Sequence, residues 1–338
     1  MQKKYMWICS AAGAAAGALL AAGAGFIHFA LKPAHLKKHR HGKETGIPQE
    51  NTDPEQAAQW KALLDRDAVM REWMGAKAPI QVEITSKDGL KLAGEVLFAG
   101  RATTDPAQAK EDDPQDGHRW ALLVHGYNAN RESMYRFGKE YYEHGYHLLM
   151  MDLRGQGESE GRWIGMGWPD RCDLQCWIDW IVKRDPCARI VMHGVSMGAS
   201  AVVMTAGEPL PANVGAVIED SGYTDVMEIF RAKLHDWFHL PAFPLLYLCD
   251  VMSKIFVGYG FREASALRQV KKCTIPALFI HGDEDQFVNV KNAYLLYDAA
   301  ECRKDCLIVP GAGHTSGEMV DHKGYWDKVF SFLKSAGF

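Results

Sequence analysis

The chain has 338 residues, of which 47% are hydrophobic and 24% are charged, and its formal net charge is −4. Such a length accommodates one large α/β domain with insertions or two modest domains, and the composition is that of a globular protein. With a small net negative charge, the chain has no positive electrostatic potential that would attract a polyanion. We therefore do not expect nucleic acid as a partner.

The first predicted element is an apolar run over Met6–Leu31 that two lysines precede and a basic segment, residues 32–43, follows. A run of about 26 residues is long enough to cross a bilayer. A cleaved signal peptide is an alternative, since residues 22–24 resemble a small-residue cleavage site. Because the apolar run continues beyond that site, we expect an uncleaved transmembrane helix within an N-terminal anchor at residues 1–43.

The side of the membrane is predicted from charge. More Lys and Arg residues follow the apolar run than precede it, which places the rest of the chain on the cytoplasmic side. The cysteines lack the compact spacing of a disulfide framework, which also favours a reducing compartment. An exported domain on a signal anchor remains the alternative. Three histidines, His35, His39 and His41, fit a solvated basic linker better than a metal site.

Residues 44–79 are predicted to form a linker and a docking helix. Asp53 has the character of an N-cap and Pro54 suits the first helical position. A stripe of large apolar side chains follows at helical spacing and predicts that this helix packs on the main domain, residues 80–338. The stripe comprises Trp60, Leu63, Met70 and Met74.

The main domain is predicted to contain a hairpin followed by strands that alternate with helices. An acidic stretch at 103–117 has no periodicity and predicts an exposed loop. Alternation of strands and helices indicates a mostly parallel, doubly wound sheet, with functional residues at the carboxyl ends of its strands. Strands are predicted at Ile80–Thr85, Leu90–Phe98, Trp120–Val124, Tyr146–Met151, Arg189–His193, Val214–Ile218, Ile275–Ile280 and Cys306–Val309.

The segment from Gly194 to Gly198 has the pattern Gly-x-Ser-x-Gly between a predicted strand and a predicted helix. This context is that of a nucleophile elbow, a strained turn that exposes one hydroxyl above the sheet. The glycines are expected because a Cβ would collide with the crowded backbone. The pattern therefore predicts Ser196 as a nucleophile.

A serine hydroxyl is a weak nucleophile and needs a base that a carboxylate orients. His314 lies in a Gly-rich loop after the last predicted strand and is the candidate base. Asp285 follows one strand and Asp220 ends another, so both are candidate acids. We favour Asp285, because the order Ser, Asp, His along the chain is that of the α/β-hydrolase triad.

The oxyanion that forms in acyl transfer needs backbone N–H donors that are held in place beforehand. One candidate donor is the N–H of Met197, at the start of the helix after the elbow. The other is the N–H of Tyr127, in the loop after a central strand, where Gly126 permits close approach of the backbone.

The Gly-rich segment from Asp152 to Ser159 follows a strand and resembles a phosphate-binding loop. It lacks the third glycine of a dinucleotide fingerprint and the lysine of a P-loop. We therefore interpret it as a structural turn in which Asp152 and Arg154 connect loops. No cofactor and no metal are expected.

Together these motifs resemble the α/β-hydrolase superfamily over about residues 80–336. The resemblance extends to a branch of bacterial, N-terminally membrane-anchored serine hydrolases related to esterases and to prolyl-oligopeptidase-like peptidases. It implies the α/β-hydrolase fold, with Ser196 as nucleophile, Asp285 as acid and His314 as base. The motifs are His125–Tyr127, Asp152–Ser159, Gly194–Gly198, His281–Val288 and Gly313-His314, with closer likeness at 219–224, 240–244 and 263–267.

An insertion at about 221–272 is expected to form a helical cap over the site. Its large apolar residues either line an acyl pocket or form the core of the cap, and the sequence leaves both open. These residues are Phe230, Trp237, Phe238, Phe243, Leu245, Leu246, Tyr247 and Phe256.

The predicted function is that of a serine hydrolase that cleaves a small carboxylic ester or related acyl compound through an acyl-enzyme. A peptidase or amidase acting on a short peptide is the alternative within enzymes, and a non-catalytic membrane-bound scaffold is the alternative outside them. A haloalkane dehalogenase is disfavoured, since its elbow would carry a carboxylate instead of Ser196.

Overall fold

The computed structural model describes residues 2–33, 66–100 and 118–338, and the side chains of the first helix from residue 17 onward. Several predicted features therefore lie outside the described residues. They are the helix start at Asp53, the stripe residues Trp60 and Leu63, the loop at 103–117, and the three histidines of the basic segment.

In the part of the chain that the structure describes, eight strands form a single sheet in the order β1-β2-β4-β3-β5-β6-β7-β8. The pairs β1/β2 and β2/β4 are antiparallel, and every other neighbouring pair is parallel. The mostly parallel, doubly wound sheet is therefore confirmed. The strands are β1 (Ile80–Thr85), β2 (Lys91–Leu97), β3 (Arg119–Val124), β4 (His147–Met151), β5 (Arg189–Val195), β6 (Val214–Asp220), β7 (Ala277–Gly282) and β8 (Lys304–Val309).

Helices cover both faces of the sheet and bury a hydrophobic core on each. Aromatic residues of α3 and α11 fill one core, and residues of α4, α5 and α9 fill the other. The described helices are α1 (Gln2–Leu31), α2 (66–76), α3 (Tyr135–Glu143), α4 (Asp170–Arg184), α5 (Met197–Ala206), α6 (Val226–Phe238), α7 (Leu245–Phe256), α8 (Ala266–Val270), α9 (Lys291–Ala299), α10 (Gly317–Val320) and α11 (His322–Ser335).

Helix α2 packs on the sheet through the last part of the predicted stripe. Met74 is buried in the core beneath α3 and α11, and Met70 packs against the same cluster. Arg66 forms an ion pair of 2.5 Å with the buried Glu318. The C-terminal end of the predicted docking helix therefore contacts the main domain.

Helices α6 and α7 follow β6 in the chain and form the predicted cap. Asp225 caps α6, since its carboxylate accepts a hydrogen bond of 2.9 Å from the Glu228 N–H. Helix α7 packs against α1. The cap therefore packs against the N-terminal helix.

The sequence predicts a transmembrane helix at the N-terminus, and the structure does not support that prediction. Within the described residues, no helix is both long and apolar enough to cross a membrane. The end of α1 is instead docked on the main domain, where Ile27, Ala30 and Leu31 are buried in the core. An apolar helix can be buried in a protein core as well as in a lipid bilayer. The composition of this run therefore did not distinguish a docked helix from a transmembrane helix.

Candidate active site

Ser196 stands at a sharp turn between β5 and α5, with φ of 57° and ψ of −117°. Such a backbone conformation is strained for a non-glycine residue. A Cβ on Gly194 would overlap the Gly198 carbonyl, and a Cβ on Gly198 would overlap the Val124 carbonyl. The close backbone packing that was predicted for the elbow is therefore present.

The three side chains predicted as a triad meet at the carboxyl edge of the sheet. His314 Nε2 lies 2.8 Å from Ser196 Oγ. His314 Nδ1 lies 2.7 Å from Asp285 Oδ2. The loops after β5, β7 and β8 supply one residue each, as strand-end placement predicts.

Asp285 is fixed by several donors besides His314. Its Oδ1 accepts hydrogen bonds of 2.8 Å from the N–H groups of Phe287 and Val288, and its Oδ2 lies 3.2 Å from His281 Nε2. Burial alone would raise the pKa of Asp285, but the hydrogen bonds from His281 and His314 outweigh it and hold that pKa well below its usual range. Asp285 is therefore a carboxylate throughout the neutral pH range.

Asp220, the alternative acid, belongs to a different network. Its carboxylate accepts hydrogen bonds of 2.8 Å from the hydroxyls of Ser221 and Tyr325. Burial raises the pKa of Asp220. Its main-chain carbonyl accepts a 2.8 Å hydrogen bond from the Ser196 N–H. Asp220 therefore supports the backbone of the elbow, and the geometry brings Asp285 to His314.

The predicted oxyanion donors lie on the two segments that flank Ser196. Met197 is the first residue of α5, where helical N–H groups lack intrahelical partners. On the other side, a Cβ on Gly126 would come within 3.3 Å of the Ser196 Cβ, so the loop carrying Tyr127 approaches closely. His125 stabilises this loop, because its Nδ1 lies 2.8 Å from the Gly126 carbonyl and its Nε2 accepts a 3.0 Å hydrogen bond from the Leu153 N–H.

An apolar pocket opens beside Ser196. It has an empty volume of about 620 Å³, part of which is open to solvent. Lys233 is the single charged residue among those that the structure shows lining it. One side of the pocket, here called the helical wall, consists of Phe26, Phe29 and Ala30 of α1 and Phe230, Trp237 and Phe238 of α6.

Some of the large residues of the cap take the two roles that the sequence left open, and others are exposed on its surface. Phe230, Trp237 and Phe238 line the pocket. Leu246 is fully buried in the core, whereas Phe243 is 72% exposed and Phe256 68% exposed. Both interpretations are therefore correct for part of the set.

The Gly-rich segment after β4 is a structural turn, as predicted. Asp152 accepts hydrogen bonds from the N–H groups of Arg131 (2.8 Å) and Glu158 (2.9 Å). Arg154 pairs with Asp173 at 2.7 Å and with Asp88 at 2.9 Å. Among the described residues, no group of His, Cys, Asp and Glu side chains is arranged to hold a metal ion.

Sequence reasoning missed two parts of the pocket. The first is α1, which we interpreted as an anchor although Phe26, Phe29 and Ala30 share one helix face and line the site. The second is Phe287, whose ring lies 5.0 Å from that of His314. The sequence signal for α1 was the spacing of the two phenylalanines, three residues apart, near the end of the apolar run.

The family model for X-Pro dipeptidyl-peptidases (S15 family) matches residues 95–247. That match covers less than half of the chain and ends before Asp285 and His314. The protein YqkD of Bacillus subtilis is 27% identical over 221 residues, which covers 65% of this chain and 72% of that protein.

Solved structures resemble the chain over most of its length. The esterase Pf2001 of Pyrococcus furiosus superposes with a TM-score of 0.60 at 23% identity and covers 77% of this chain and 92% of its own. The acylaminoacyl peptidase of Pyrococcus horikoshii gives a TM-score of 0.52 at 16% identity, with coverage of 75% and 41%.

The sheet order, the elbow and these structural likenesses identify the fold. The chain has the α/β-hydrolase fold, which confirms the fold that the motifs implied. At these identities the likeness establishes the fold and leaves the substrate to be inferred from the site.

Proposed function

We propose that this protein is a serine hydrolase that cleaves a carboxylic ester or related acyl substrate through an acyl-enzyme. The observation that carries the proposal is the continuous chain of hydrogen-bonding atoms from Asp285 through His314 to Ser196, with distances of 2.7 and 2.8 Å. Those distances are within the range at which a base can take the proton of a nucleophile.

In this mechanism, the Asp285 carboxylate accepts a hydrogen bond from the Nδ1–H of His314 and stays ionised, so the Nε2 lone pair is directed at Ser196. Ser196 Oγ attacks the substrate carbonyl while His314 takes its proton. The N–H groups of Tyr127 and Met197 donate to the developing oxyanion, each contributing on the order of 3 kcal/mol. His314 then protonates the leaving alcohol, and a water molecule hydrolyses the acyl-enzyme by the same steps.

The variant Ser196→Ala tests this assignment. We expect it to fold normally, to lose turnover of p-nitrophenyl esters by a factor on the order of 10⁶, and to lose covalent labelling by a fluorophosphonate. Ser331→Ala is the matched control, since Ser331 is an exposed serine on α11. Labelling that persists in Ser196→Ala would refute the nucleophile assignment.

A peptidase is the second candidate, and the match to the X-Pro dipeptidyl-peptidase model favours it. A dipeptidyl-peptidase must bind the ammonium group at the substrate N-terminus, which calls for a carboxylate. Among the described lining residues the charged group is instead the cation Lys233. We therefore expect p-nitrophenyl butyrate to be cleaved and Ala-Pro p-nitroanilide to be left intact, and the reverse result would establish the peptidase.

We also propose that the protein acts at a membrane, with the catalytic domain on the cytoplasmic side. The basis is the group of exposed apolar side chains on α7, among them Ile255 and Phe256, together with the excess of Lys and Arg residues that follows α1 in the sequence. Cell fractionation and fluorophosphonate labelling of intact and permeabilised cells test both parts. Recovery in the soluble fraction would refute the first part, and labelling of intact cells by an impermeant probe would refute the second.

A further inference from the structure

The C-terminal part of α1 is a fixed part of the catalytic domain. Gly23 packs so closely on α7 that a Cβ there would lie 3.0 Å from Met252 Sδ. The Leu31 carbonyl accepts a 2.8 Å hydrogen bond from the Ile164 N–H. The buried positions 23, 27 and 31 follow the helical repeat, so one face of α1 is committed to this contact.

A second face of the same helix lines the pocket. The Phe26 ring lies 5.5 Å from that of Phe230, and the Phe29 ring lies 6.4 Å from that of Phe238, both edge to face. These contacts bring α1 and α6 together as the helical wall opposite Ser196. The pocket is therefore bounded by a segment more than 160 residues away from its nucleophile in the sequence.

We propose that residues 26–30 of α1 are the specificity-determining wall of the acyl site, and that the substrate is an ester with an extended apolar acyl chain. The acyl chain runs from Ser196 along the helical wall, where contacts with aromatic and aliphatic side chains replace its contacts with water. The proposal rests on the proposed function, since it concerns the acyl group that Ser196 receives. Each methylene group of the acyl chain that packs against the helical wall raises kcat/KM about fourfold, until the pocket is filled.

Ala30 and Phe26 allow changes of opposite sign. Ala30 is 6% exposed and contributes a single methyl group to the lining. The variant Ala30→Leu therefore places a larger side chain in the pocket and reduces the space for the acyl chain. Phe26→Ala removes a ring from the helical wall and enlarges that space. Leu20→Ala is the matched control, because Leu20 lies on the same helix, is 49% exposed and is not among the lining residues.

The experiment measures kcat/KM for p-nitrophenyl esters from acetate to palmitate, with fluorophosphonate labelling and a thermal unfolding midpoint for each variant. We expect Ala30→Leu to lower the decanoate-to-acetate ratio at least tenfold and Phe26→Ala to move the optimum to longer chains. Leu20→Ala should reproduce the wild-type profile. If Ala30→Leu does not fold, Phe26→Ala and Phe29→Ala supply the test.

The two proposals fail in distinguishable ways. Labelled, folded variants with the wild-type chain-length profile would overturn the role of α1 and leave the serine hydrolase intact. A wild-type profile that falls steadily from acetate would overturn the extended acyl chain. Absence of labelling in the wild-type protein would overturn both the hydrolase and the wall.

Discussion

The two sides of the pocket are built on different physical principles. At the sheet edge, Asp285 receives two backbone hydrogen bonds and lies beside two histidines, so directional contacts hold its carboxylate in one orientation. The helical wall is held by ring contacts and by the packing of α1 on α7. Proton transfer depends on exact distances, whereas an apolar chain requires only volume and dry surface.

The largest effect is expected from replacing Asp285, the acid on the sheet-edge side of the pocket. Asp285→Asn should lower kcat by a factor on the order of 10⁴, because an amide cannot stabilise the imidazolium and favours the wrong tautomer. Asp220→Asn is the matched control. It should lower the unfolding temperature and change kcat less than tenfold, since Asp220 bonds to Tyr325 and Ser221. An equal loss of kcat in both variants would contradict the assignment of Asp285.

The fixed geometry of the sheet edge also has a cost that depends on pH. Burial raises the pKa of Glu219 to about 7, well above the ordinary value of a glutamate side chain. The folded protein thus keeps a proton that the unfolded chain loses, and the free energy of unfolding should fall as pH rises from about 4.5 to above 7.

Glu219→Gln removes that pH dependence, because the amide resembles the protonated acid and still accepts from the Gly222 N–H. We expect the variant to gain roughly 3 kcal/mol over the wild type at pH 8.5 and about nothing at pH 4.5. Urea unfolding at both pH values measures the difference. A constant difference between them would show that Glu219 is ionised in the folded protein.

A smaller effect is expected where the two oxyanion segments meet. Gly126→Ala would bring a Cβ within 3.3 Å of the Ser196 Cβ and 3.4 Å of the Val195 carbonyl. The loop must then withdraw, and we expect kcat to fall by a factor of about 10², the loss of one oxyanion donor. Gly75→Ala, in open space on α2, is the control and should leave kcat unchanged. Wild-type kcat in Gly126→Ala would exclude Tyr127 as a donor.

The smallest effect is expected at the point where the two sides touch. The Tyr127 hydroxyl donates a 2.7 Å hydrogen bond to the Ala30 carbonyl, which joins the oxyanion loop to α1. Tyr127→Phe removes about 1 kcal/mol of that connection, so kcat should fall about fivefold. Tyr135→Phe loses a comparable 2.7 Å bond to Glu95 elsewhere and should change stability alone. Equal kcat in the two variants would show that α1 does not influence the oxyanion loop.

The sheet-edge side was predictable because its signals are local. Short apolar runs gave all eight strands, and β1 agrees residue for residue with the prediction. The glycines around Ser196 mark a turn that no other residue fits. Only the acid was ambiguous, since Asp220 and Asp285 both follow strands and their distance from His314 depends on loop paths that no local pattern encodes.

The helical wall was not predictable for the converse reason. An apolar helix has the same composition whether lipid or protein surrounds it, so the run at α1 indicated burial without indicating by what. Gly23 favours burial by protein, because the absence of a side chain at this position lets α7 pack closely against α1. The roles of the aromatic residues of the cap were equally ambiguous, because their positions depend on contacts with residues that are distant in the sequence.

The docking of α1 has a consequence for biosynthesis. Gly23 leaves the ribosome early, but Cys249, whose thiol contacts its carbonyl, follows 226 residues later. At about 5–20 residues per second, this interval lasts roughly 10–45 s. Throughout that interval the apolar face of α1 in the nascent chain lacks the helix that later covers it. Chaperones or a membrane surface can bind this face until α7 emerges.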